Sequence, residues 1–146
     1  MKKILTLLFA VVCLTACNQH ESISFSETAS EGIQGTYEGT WTRSLNDDSV
    51  SGPGTISFTA TDDAHIAIVA ATCAEPAINK QGIANVSHAD HEYVFYNNSV
   101  SDEAGFGARF SGRVYKNGTV DMQYSVAEQV GRFTNTYTFT FVGKKQ

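Results

Sequence analysis

Few residues of this 146-residue chain have the type and spacing for chemistry. His88-Ala89-Asp90-His91-Glu92 sets two imidazoles three residues apart with carboxylates between and after them, donors of the kind that hold zinc or iron. On a helix the two rings would share a face, but the flanking residues read as a turn entering a strand, and H-E-x-x-H is absent. The segment reads as a solvated polar turn, with His88 and His91 the candidate metal ligands and His65 and His20 far from them in sequence. Asp47-Asp48 and Asp62-Asp63 pair carboxylates, yet they sit in turn-like stretches and lack the Asp-x-Asp-x-Asp-Gly pattern of a calcium loop. Cys73, in Ala70-Ala71-Thr72-Cys73-Ala74, reads as a buried, inert thiol, because a nucleophile needs a base or a cation that lowers its pKa. There is no G-x-S-x-G, P-loop or dinucleotide fingerprint, and Gly52-Pro53-Gly54 reads as a turn with no helix behind it. The expectation is a protein that is not an enzyme, with no catalytic residue and no cofactor.

The front of the chain carries a more specific pattern. Lys2 and Lys3 precede an uncharged apolar run, Ile4 to Val12, too short to cross a ~30 Å hydrocarbon core, so residues 1–16 read as a signal peptide. Leu14-Thr15-Ala16-Cys17 resembles the bacterial lipobox, in which the cysteine is acylated and becomes the mature N-terminus. The resemblance implies lipidation (palmitate among the acyl chains) at Cys17, a lipid bilayer as partner and a place in the cell envelope, with the outer membrane as the expected address. Removing Lys2 and Lys3 leaves eight basic residues against 15 acidic ones, a charge of −7. Such a body is repelled by nucleic acid and anionic lipid, so acyl chains must hold it to the membrane. With Cys13 discarded and Cys17 lipidated, only Cys73 remains and no intramolecular disulfide can form. Residues 17–34 are rich in Ser, Glu and Gln and read as the lipidated cysteine followed by a flexible tether.

Residues 35–146 form the expected domain. Leu45 is the only leucine after Cys17, whereas threonine occurs 13 times and valine 10 times, a bias toward pleated sheet. Strands are predicted near Gly35 to Leu45, Gly54 to Ala60, His65 to Ala71, Ile83 to Ser87, Glu92 to Val100, Phe106 to Val114, Val120 to Val126 and Phe133 to Phe141. In the last three, Phe106, Ala108, Phe110 and Val114, then Val120, Met122, Tyr124 and Val126, then Phe133, Tyr137, Phe139 and Phe141, each share one face. Asn117-Gly118 predicts a tight type I′ hairpin between two of them. The pattern is all-β: an eight-stranded antiparallel up-and-down barrel, with a β-sandwich as the alternative. Eight strands enclose room for side chains or one small ligand.

Gly39-Thr40-Trp41 on the first strand resembles the G-x-W of lipocalins. The hairpin from Phe110 to Val120, followed by Tyr137 to Thr140, is similar to the end of the lipocalin-like (calycin-like) small lipoproteins of Gram-negative anaerobes. The resemblance implies a closed barrel whose interior accepts a small apolar molecule. The chain departs from it in placing Arg132 at the start of the last strand instead of an arginine late in it, against the tryptophan. Trp41, Phe95, Phe110, Tyr124, Tyr137 and Phe139 are the candidate lining of such a cavity. The expected function is that of a membrane-anchored envelope lipoprotein binding a small hydrophobic or amphipathic ligand, with no nucleic-acid partner. The alternative is a protein-binding envelope module, an inhibitor or assembly partner; a His-dependent metal site comes third.

Overall fold

A computed structural model describes residues 28–99 and 106–146. The signal peptide and lipobox, Cys17 and the tether up to Glu27 lie outside those residues, as does Val100. Eight antiparallel strands follow in order: β1 Gly35–Leu45, β2 Asp48–Ala60, β3 Ile66–Cys73, β4 Ile78–Ala89, β5 Glu92–Asn97, β6 Phe110–Tyr115, β7 Thr119–Val130 and β8 Phe133–Lys145. Each pairs with the next, and β1 also pairs with β8, from Tyr37↔Lys145 to Ser44↔Thr138, so the sheet closes into an up-and-down barrel. Closure pairs the edge strands that an open sheet would leave unpaired, and the β-sandwich alternative falls with it.

Pleat alternation sorts side chains between lumen and solvent. On β3, Ala67, Val69, Ala71 and Cys73 are buried in alternation with half-buried or exposed neighbours. On β6 it is Phe110, Gly112 and Val114, and on β7 Val120, Met122 and Tyr124. Phe106 and Ala108 are buried as expected, but in the segment leading into β6 and not on the strand itself.

Several expected boundaries are corrected. Ser51-Gly52-Pro53-Gly54 is no turn; it lies inside β2, paired with β1 through Trp41↔Gly52, Thr40↔Pro53 and Gly39↔Gly54. Proline is tolerated there because β2 acquires its second neighbour only at Gly54↔Cys73, so Pro53 lies on an edge. The flanking glycines answer a close approach. A Cβ on Gly54 would stand 2.3 Å from the Thr72 carbonyl oxygen and 2.7 Å from Trp41 Cδ1, and one on Gly52 would stand 1.9 Å from the Glu75 oxygen. The β6–β7 connection is also not type I′. Gly118 takes φ 78° while Asn117 does not turn positive, and the Gly118 N–H donates to the Tyr115 carbonyl at 2.9 Å. That is the three-residue loop with glycine in the left-handed position, tied by the Asn117 side chain accepting from the Thr119 N–H. His88 is a strand residue paired with Tyr93, so the β4–β5 turn is only Asp90-His91.

The domain also begins earlier than Gly35. A short helix, α1 (Ala29–Ile33), covers one end of the barrel. Ile33 is fully buried, the Ser30 N–H donates to the Ala64 carbonyl at 2.9 Å, and the Tyr37 hydroxyl donates to the Ile33 carbonyl at 2.9 Å. Residues 28–34 are therefore a plug, not the last part of a tether. Its few apolar residues hid it, because one buried isoleucine and one alanine suffice to close a narrow opening.

Candidate functional site

The lumen is filled by rings. Phe58 packs on Tyr37 at 5.8 Å between centroids and on Phe95 at 4.8 Å; Phe95 faces Phe110 at 6.5 Å. Phe110 meets Phe106 at 4.8 Å, Phe106 meets Tyr124 at 5.1 Å, and Trp41 sits between Tyr124 at 5.9 Å and Phe141 at 5.0 Å. These are ordinary separations for edge-to-face and tilted aromatic pairs in contact. Of the six candidate lining residues, Trp41, Phe95, Phe110 and Tyr124 are buried in this chain of rings. They form packed core and not the wall of an internal cavity. The main concavities among the described residues lie on the outer face and at the ends of the barrel.

Tyr137 and Phe139 lie elsewhere, at the barrel end opposite α1. There a cleft of about 260 Å³ opens, with Tyr124, Phe139, Tyr137, Val126 and Ala77 as its apolar surface and Arg43, Lys80 and Glu128 as its charges. The Tyr124 and Phe139 rings are stacked at 4.6 Å and 2° from parallel. The Arg43 guanidinium carbon lies 5.7 Å from the Tyr137 ring centroid, within cation–π range. Burial pushes the Tyr124 phenol well above its ordinary pKa, with the nearby Cys73 acting in the same direction, so the ring stays neutral.

The strand register explains how the two cations reach this place. On β1 the inward series runs Tyr37, Gly39, Trp41, Arg43, and on β4 it runs Ile78, Lys80, Gly82, Ala84. Both cations occupy lumen-facing positions that elsewhere hold aromatic or small residues. They are half-buried, and neither makes an ion pair among the described residues, where Arg113 on the outer wall pairs with Glu92 at 3.6 Å. Arg43 could be found by continuing the alternation two residues past Trp41. Lys80 could not, because its segment looked too polar for a strand.

The other candidate groups are dispersed. His88 is exposed at the α1 end with its ring 5.2 Å from that of Tyr93, and His91 is exposed in the following turn. Among the described residues no three His, Cys, Asp or Glu side chains converge on one point. Cys73 is a free, buried thiol whose sulfur lies 3.3 Å from the Pro53 carbonyl. Asp63 accepts from the His65 N–H at 2.8 Å, the local bond of a turn former, and Asp47 and Asp48 are exposed at the β1–β2 turn. Compared with family models, with curated proteins and with solved structures, the chain has no match.

Proposed function

We propose that the chain is a non-catalytic, lipid-anchored envelope protein that binds a small amphipathic molecule at the mouth of its barrel and not inside it. The observation that carries this reading is the pair of cations on inward-facing positions, set over a floor of stacked rings. A half-buried charge with no carboxylate partner costs desolvation, and partly exposed rings at Phe139 and Tyr137 cost hydration; one bound amphiphile relieves both. The lipobox-like Leu14 to Cys17 supports the anchor.

Native mass spectrometry of the full-length protein, released gently from its own membranes, tests both halves. The expected spectrum shows a chain that starts at acylated Cys17 and carries a small-molecule adduct, which Phe139→Arg abolishes. An unacylated chain with no adduct would refute the reading.

A protein-binding role has one observation in its favour. The β7–β8 hairpin runs beyond the barrel wall, with Val130 paired to Phe133 at its tip and these side chains 51% and 78% exposed. Large apolar residues at the tip of a projecting hairpin suit insertion into a partner.

A further inference from the structure

We infer that the ligand of the mouth cleft is an anion: an acidic head held on the Arg43 and Lys80 side, with a short apolar body lying on the Tyr124–Phe139 stack and Tyr137. The inference rests on the mouth-binding reading and adds the ligand's charge and size.

Three charged side chains line the cleft, two cationic and one acidic. The cations stand on the inward faces of β1 and β4, and Glu128 continues the inward series Val120, Met122, Tyr124 and Val126 of β7, exposed past that strand's last pairing with β6 at Phe110↔Tyr124. Two cations against one carboxylate leave the cleft locally positive in a chain whose net charge is negative. That excess of one positive charge in the lining favours an anionic group over a cationic one in the mouth. A cationic or neutral head would leave Arg43 and Lys80 half-buried and without an ion pair, Arg43 against the Tyr137 ring alone, whereas a carboxylate or phosphate head accepts their N–H donors. The body must be small. A volume of about 260 Å³ lies just below the usual range for ligand pockets, roughly 300–1,000 Å³. The competing explanation is that both side chains snorkel, their stems covering the rings and their charges in water, with no role in binding.

The discriminating experiment titrates the full chain carrying Cys17→Ser, so that no acyl chain competes, with octanoate, octan-1-ol and octylammonium. Affinity is read by calorimetry and location by NMR of the Tyr137 and Phe139 rings. Octanoate is expected to bind about fivefold tighter than octan-1-ol, the size of one partly exposed ion pair, with octylammonium weakest. Arg43→Gln and Lys80→Gln should each take away part of that advantage, and the double variant all of it, while octan-1-ol binding stays unchanged. Glu128→Gln should tighten octanoate, and added salt should weaken it. Equal binding of octanoate and octan-1-ol, with the ring resonances shifting for both, would overturn the charge inference and leave the mouth reading standing. No shift of those rings with any of the three would overturn both.

Discussion

Truncating Phe95 to alanine removes a ring from the middle of the lumen and so measures how full the barrel is. Phe95 is fully buried, with Phe58 at 4.8 Å on one side and Phe110 at 6.5 Å on another. Behind it the wall is equally close: a Cβ added to Gly112 would stand 2.3 Å from Phe95 Cζ. A ring held on all sides by strands of a closed barrel leaves a hole that the walls cannot collapse, so the cost should be no less than the middle of the usual Phe→Ala range, about 4 kcal/mol. For the roughly 120 residues from Thr28 to Gln146, unfolding entropy of about 2.1 cal/mol/K per residue comes to about 0.25 kcal/mol/K, and the melting temperature should fall by about 16 °C. Urea denaturation and calorimetry on the same protein give both numbers. The variant should also gain a dry apolar cavity that takes up benzene, seen as a rise in melting temperature when benzene is added. A loss below about 1.5 kcal/mol, or no response to benzene, would refute the claim of a filled lumen, because a ring that already borders open space costs little to remove.

Three further outcomes follow from the same packing. Burial raises the Tyr37 and Tyr124 phenols above their ordinary value of 10.0, and donation to Asp121 raises that of Tyr115. The folded state therefore keeps protons that the unfolded chain releases near pH 10: the urea midpoint should be insensitive to these phenols below that pH and fall above it, with a shallower fall in Tyr37→Phe/Tyr124→Phe. Ile33→Ala should cost about 2–5 kcal/mol by urea titration, since the side chain is fully buried under the barrel end; a cost near zero would return residues 28–34 to the tether. Phe133→Ser should leave stability within about 0.5 kcal/mol, the ring being 78% exposed, and should abolish cross-linked complexes in intact cells if the hairpin docks a partner.

The strands that were legible without the structure are those with one wet face. β1 occupies its predicted range, and the alternation in the last three strands was visible because aromatic residues alternate with Thr, Ser, Arg and Gln. β2 and β4 were read too short for different reasons. At Gly52-Pro53-Gly54 the two glycines answer a local crowding by Glu75, Thr72 and Trp41, and the proline is tolerated on an edge, although both residue types normally mark a turn. In Ile78 to Gly82 a lysine faces inward where an apolar residue belongs, which broke the pattern at one wall of the cleft.

Read alone, the residues determined the fold class, the shared face of Phe110, Tyr124, Phe139 and Phe141 and the motif that resembles a lipid attachment site, because these depend on local alternation and on short contiguous patterns; Phe133, expected on that face, is 78% exposed because the hairpin carries it past the wall. Whether the lumen is empty or full was beyond them. Trp41, Phe95, Phe110 and Tyr124 face inward in either case, and only the distances across the barrel show that they touch. The same holds for the cleft: its two cations are 37 positions apart and line one mouth only in the closed sheet, where β1–β8 pairing sets Arg43 opposite Phe139 and β4 brings Lys80 from another wall. Period-two alternation gives direction along a strand; curvature and register, which set what lies opposite, are properties of the closed sheet.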